Sequence, residues 1–117
     1  MTLTEQEQIL HAAYQYFNSR ADDKLLDLMT PDVHWPNGWE GGWVNGRDEV
    51  KAYWTRQWKE IDPVVTPEGY EALPDGRVAV RVHQLVKDLS GKTIADVHVQ
   101  HIYTFRDDLV AHMEIRS

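Results

Sequence analysis

Apolar residues in the first half of the chain recur at helical spacing, and in the second half they alternate one by one. From Thr4 to about Ser19 the positions Ile9, Ala13, Tyr16 and Phe17 form one stripe, flanked by Leu10 and Tyr14. Thr4 followed by Glu7 has the spacing of a capping box, which supplies partners to the first free backbone amides. A short second helix is predicted, with Asp22 or Asp23 as cap and Leu25, Leu26, Leu28 and Met29 as its buried side, ended by Pro31. Val33-His34-Trp35 reads as a brief strand stopped by Pro36, and residues 37–46 as a loop rich in glycine and tryptophan. Arg47-Asp48-Glu49 opens a third helix running to about Lys59, with Val50, Tyr53, Trp54 and Trp58 on one face.

Beyond that helix, Pro63 and Pro67 bracket a stiff connection, and four strands follow at about 69–73, 77–88, 93–106 and 109–116. Their joins, Pro74-Asp75-Gly76, Leu89-Ser90-Gly91 and Asp107-Asp108, are turn chemistry. Helices first and consecutive hairpins after imply an α+β fold, since a parallel sheet needs helices between its strands.

Strand parity then sorts the side chains. Ala95, Val97, Val99, His101, Tyr103 and Phe105 share one face, and Val78, Val80, Val82, Gln84 and Val86 share the matching face of the strand before. These faces must stack on the helices. The other faces carry Arg81, His83, Asp96 and His98; placing His83 opposite Asp96 sets Arg81 opposite His98. In the last strand hydrophobicity turns Ala111, Met113 and Ile115 inward, given a bulge near the turn; a strict two-residue turn would instead bring in His112 and Glu114. His101 and Gln84 are thus polar residues on an apolar inner face. Each needs a partner, because a buried polar group without one costs roughly 1–3 kcal/mol.

Composition narrows the chemistry. The 117 residues suit a single domain, 1–117, and without cysteine there is no disulfide, thiolate nucleophile or sulfur-ligated zinc. A net charge of −7 with scattered basic residues argues against nucleic acid. No apolar run is long enough for a membrane span, and the polar, acidic start is the reverse of a leader peptide, so a cytoplasmic location is expected. His98 and His101 fall on opposite strand faces and no His-x-x-x-His occurs, so no metal site is expected. Ser19, Ser90 and Ser117 lack an elbow context, glycine forms no phosphate loop, and no cofactor is expected.

Three stretches resemble a known family. Tyr16-Phe17 with the following Asp22-Asp23-Lys24-Leu25-Leu26-Asp27-Leu28-Met29-Thr30-Pro31-Asp32-Val33-His34-Trp35, then Gly46-Arg47-Asp48-Glu49-Val50, and His101-Ile102-Tyr103-Thr104-Phe105-Arg106-Asp107 resemble SnoaL-like domains of the nuclear transport factor 2-like superfamily. The resemblance covers nearly the whole chain and implies a cone: a curved antiparallel sheet wrapped around a long N-terminal helix, with a ligand pocket at the open end. It also implies homodimers through the outer sheet face. Set against ketosteroid isomerases of that superfamily, the oxyanion-hole tyrosine falls on Tyr14, the catalytic base on Trp35 and the protonated aspartate on His101. For the Asp-Arg-Asp set of limonene epoxide hydrolase, Val99 and His101 occupy the strand positions where the Arg and an Asp would be expected. Scytalone dehydratase is similar only in its mix of histidines and tyrosines.

The resulting expectation is a small apolar molecule, cyclic or polyketide-like, bound without cofactor and undergoing proton transfer, dehydration or cyclisation. Tyr14 would hold a substrate oxygen. His101, with an ordinary pKa of roughly 6.5, would move the proton; it reads equally as a core histidine bonded to Tyr14 or Glu114. Trp35, Trp39, Trp43, Tyr53, Val82, Gln84, Val99, Tyr103 and Met113 would line the pocket, with Trp54 and Trp58 in the core and His34 turned outward. The alternative is a non-catalytic ligand-binding or dimerisation module.

Overall fold

The computed structural model describes residues 1–117. Its elements are α1 (Leu3–Asn18), α2 (Asp22–Leu26), β1 (Met29–Pro36), β2 (Trp43–Asn45), α3 (Gly46–Glu60), β3 (Ile61–Ala72), β4 (Val78–Asp88), β5 (Thr93–Arg106) and β6 (Leu109–Arg116). The six strands form one curved sheet in the order β2-β1-β6-β5-β4-β3. Every pair is antiparallel except β1 with β6, which run parallel, so the sheet is mixed rather than wholly antiparallel. The fold is α+β as expected, with α1 lying against β3 and α3 against β1.

Local chemistry explains where the boundaries differ from the sequence pattern. The capping box is Thr2 with Glu5, two residues earlier than expected: the Thr2 hydroxyl accepts from the Glu5 amide at 3.2 Å, and the Glu5 carboxylate accepts back from Thr2. Both pairs have the same spacing, and the earlier one adds half a turn of helix. Met29 and Pro31 belong to β1, because the chain turns directly from Leu28 into the sheet and the Val110 amide donates to the Leu28 carbonyl at 2.9 Å. Within the tryptophan-rich loop, Trp43–Asn45 pairs with His34–Pro36 as β2.

The largest departure is β3. The Pro63–Pro67 stretch is not a connection but the middle of a twelve-residue edge strand. Proline is tolerated there because its missing donor faces away from the neighbouring strand. Val65, midway between the prolines, has its outward amide and carbonyl both taken by the Asn18 side chain, at 2.9 and 2.8 Å. Pro63 and Pro67 share that outward parity, so neither costs a bond to β4.

Register follows burial more than charge. His83 lies opposite His98 and Arg81 opposite Gln100, one pair away from the expected alignment. The slip of two residues preserves both faces, and the His83–Asp96 contact survives as a diagonal at 2.5 Å. In β6 the pairing shifts between Thr104 and Phe105, which turns Met113 and Ile115 toward the inner residues of β5; Val110, rather than Ala111, is the buried residue beside the bulge. Val78, Val80 and Val82 of β4 are fully buried with Leu10, Tyr14, Val50, Tyr53 and Trp54 in one core.

The β5–β6 hairpin turns on Asp107 and Asp108 with φ of 54° and 63°, the left-handed pair of a type I′ turn. Asp108→Gly should relieve one of these conformations without removing a core contact, raising stability by up to ~1 kcal/mol. A higher urea midpoint with unchanged slope is the expected reading.

Candidate functional site

Between the inner face of the sheet and helices α1 and α3 lies a cavity of about 660 Å³. It is apolar for a simple reason: parity sends the valine and aromatic positions of β1, β3, β4 and β5 inward, and the helices contribute Ala13, Phe17, Tyr53 and Trp54. Of the residues expected to line it, Tyr14, Trp35, Trp39, Trp43, Tyr53, Gln84, His101, Tyr103 and Met113 do so. Val82 and Val99 do not. Val82 is wholly enclosed by the core and Val99 packs against that core's edge.

One polar relay crosses this lining. The Tyr103 hydroxyl donates to the Tyr14 oxygen at 2.7 Å. That oxygen lies 2.8 Å from Nδ1 of His101, whose Nε2 lies 3.0 Å from the side-chain amide nitrogen of Gln84. Tyr14 and His101 are nearly parallel at 5.9 Å between ring centres, and Tyr103 meets Tyr14 edge-on at 6.3 Å. The expected partnership of His101 with Tyr14 is present; Glu114 is engaged elsewhere, with Arg77 at 3.0 Å and Arg116 at 2.7 Å.

Burial controls the titration of this relay. Desolvation drives the His101 pKa down to about 3, so the ring is neutral at physiological pH rather than poised near its ordinary value. The expected role of His101 as a proton carrier drew on an ordinary imidazole pKa, and burial moves the ring below that value. Burial, reinforced by neighbouring Tyr103, raises the Tyr14 hydroxyl well above the usual tyrosine range, and Tyr103 is raised by burial as well. All three groups therefore stay uncharged and act as hydrogen-bonding dipoles.

The mouth is built by the 37–42 loop. Asn37 accepts from the Glu40 amide at 2.7 Å, Arg56 of α3 holds the Glu40 carboxylate through Nε and Nη2, and the Trp39 indole donates to Glu60 at 3.2 Å. The Arg56 bonds, ahead of that from Asn37, hold the Glu40 pKa at about 2. Strand alternation turns Val44 into the core and Trp43 to the opposite side. There its indole stacks on His34 at 4.2 Å, and His34 Nδ1 meets His112 Nδ1 at 2.9 Å. Trp43 thus both lines the cavity and stacks on this histidine pair.

Several lining residues escaped the sequence pattern. Ile61, Pro63 and Val65 were hidden by the reading of β3 as a connection. Trp54, expected in the core, both packs there and faces the cavity. Gln57 follows Tyr53 by one helical turn on the same stripe, a spacing that could have flagged it. Its amide donates to the Tyr53 hydroxyl at 3.2 Å, and its carbonyl oxygen is buried without a partner.

The depressed His101 pKa carries a stability consequence. The unfolded chain, with an imidazole pKa of roughly 6.5, binds a proton that the folded chain refuses until about pH 3. Stability from this group is complete above about pH 6.5 and is lost as pH falls toward 3. Between pH 7 and 5 the loss is about 2 kcal/mol, so His101→Gln should flatten the pH dependence by that amount in urea titrations.

Comparison with known proteins agrees with this architecture. No curated protein matches the chain. Among solved structures, an NTF2-like protein of unknown function from Burkholderia pseudomallei superposes with a TM-score of 0.83 at 22% identity, covering 99% of this chain and 91% of that one. TerC, co-crystallised with polyporic acid, gives 0.82 at 27% identity over 95% and 89%. Rv0760c from Mycobacterium tuberculosis, in complex with estradiol-17β-hemisuccinate, gives 0.81 at 17% over 95% and 92%. The family model of the SnoaL-like domain matches residues 10–113, from the buried face of α1 to the inner residues of β6, and the chain belongs to that family.

Proposed function

We propose that this SnoaL-like protein binds an apolar cyclic or polyketide-like small molecule in its central cavity and holds one ligand oxygen at Tyr14. The observation that carries the reading is the relay from Tyr103 and His101 onto Tyr14, a polar chain ending on a hydroxyl that lines a mainly apolar cavity. The ligands of TerC and Rv0760c, polyporic acid and estradiol-17β-hemisuccinate, support a cyclic ligand. The fold alone would not, because one scaffold hosts many chemistries.

If turnover occurs, it is a cofactor-free proton transfer, dehydration or cyclisation in which Tyr14 stabilises charge developing on the substrate oxygen. In that scheme His101 positions Tyr14 and carries no proton to or from the substrate. A second reading, a non-catalytic binding or dimerisation module, is favoured by one specific observation: Trp35 stands where the isomerase base would be, and the one carboxylate lining the cavity, Glu114, is held by two arginines. No helix is long and apolar enough to cross a membrane. We propose a cytoplasmic homodimer joined through the outer sheet face, where His83 pairs with Asp96 and His98 with Glu68; sedimentation at low and high salt tests the pairing.

Trp35 and Trp54 line the cavity, so their fluorescence reports occupancy. Titration with a panel of hydrophobic cyclic ketones should quench it, and Tyr14→Phe should weaken the best binder about tenfold. His101→Ala should weaken it comparably while leaving the fold intact. A panel that leaves the emission unchanged would favour the non-catalytic module.

A further inference from the structure

The relay contains a question of proton direction that decides what kind of ligand the cavity accepts. A neutral His101 has one ring proton. Were it on Nε2, Gln84 would have to turn its carbonyl toward the ring, and Tyr14 would donate its own proton to Nδ1. Nothing would remain for a ligand. With the proton on Nδ1, the Tyr14 oxygen receives two donors, from His101 and Tyr103, and its own proton stays free. With the Gln84 amide nitrogen, 3.0 Å from Nε2, as donor, Nε2 accepts and the second arrangement follows. Two donors on one hydroxyl also polarise it, strengthening what it gives onward.

The charge of the lining points the same way. No lysine or arginine lines the cavity, and its one carboxylate, Glu114, is already balanced by Arg77 and Arg116. A ligand anion drawn inside would lose its hydration and meet no counter-charge. A carbonyl oxygen loses far less and accepts the single proton offered.

We propose that Gln84, acting through His101, sets Tyr14 as a proton donor into the cavity, so that the site takes an uncharged ligand with a bare carbonyl oxygen, a ketone or quinone rather than a carboxylate. This deepens the binding function above and rests on it. Gln84, expected to touch ligand directly, becomes a positioning residue.

Two measurements on the intact protein test it. Ring-nitrogen NMR of histidine-labelled protein reads the His101 tautomer: wild type should show the Nδ1–H form, and Gln84→Met should shift it to Nε2–H. Tryptophan quenching by naphthalene, 1-acetonaphthone and 1-naphthoate, three probes of one ring system, reads the selectivity. The ketone should bind about tenfold tighter than the hydrocarbon and the carboxylate weakest, with Gln84→Met removing only the ketone's advantage. An Nε2–H ring in the wild type, naphthoate binding as tightly as the ketone, or a Gln84→Met loss shared equally by naphthalene would each overturn the proposal while leaving the cavity a binding site. Failure of all three probes to bind would overturn both.

Discussion

The structure is governed by the need to satisfy polar atoms inside an apolar chamber. Four polar side chains, from α1, β4 and β5, enter a space walled mainly by valine and aromatic rings. Tyr14, His101 and Tyr103 are buried and Gln84 half-buried, and an unpaired polar atom there would offset much of a small domain's net stability. They therefore meet each other, and the geometry that joins them fixes how α1 sits on the sheet. Tyr14 connects to β5 through both His101 and Tyr103, so helix position and relay geometry are a single constraint.

That constraint also separates two meanings of a buried histidine. A catalytic imidazole needs enough polarity or charge nearby to keep its protonated form within reach. Around His101 the polar partners are two uncharged side chains, and desolvation lowers its pKa. What the ring can still do is choose which of its nitrogens carries the proton. Its contribution is directional, and it acts through Tyr14.

Much of this was legible from residue order. Alternation in β4 and β5 places His101 and Gln84 inward, and the helical stripe on α1 carries Tyr14 beside it; period and parity suffice because the inner faces are strongly apolar. The family resemblance added the cone and the Tyr14 correspondence. What was not legible had physical causes. Prolines in β3 look like breakers unless the side of the strand their nitrogens face is known, and that depends on the strand being outermost. The register of β4 on β5 could not be chosen by charge, because a diagonal His83–Asp96 contact is as available as a direct one. The ring pKa of His101 depends on how completely the fold excludes water, which no pattern of residue types expresses. Val82 and Val99 share the inward face with Gln84 and His101, but parity gives a side, not a depth.

The outermost strand has a further meaning for how copies of this chain can meet. Open strand borders are where sheets recruit one another, by extending their backbone ladder into a neighbour. Here one border carries two prolines and has the Val65 backbone occupied by Asn18, and the other ends in a strand of three residues. Lateral growth is refused at the one and barely offered at the other. Any self-association is thereby steered from backbone to side chain, and away from open-ended ribbons.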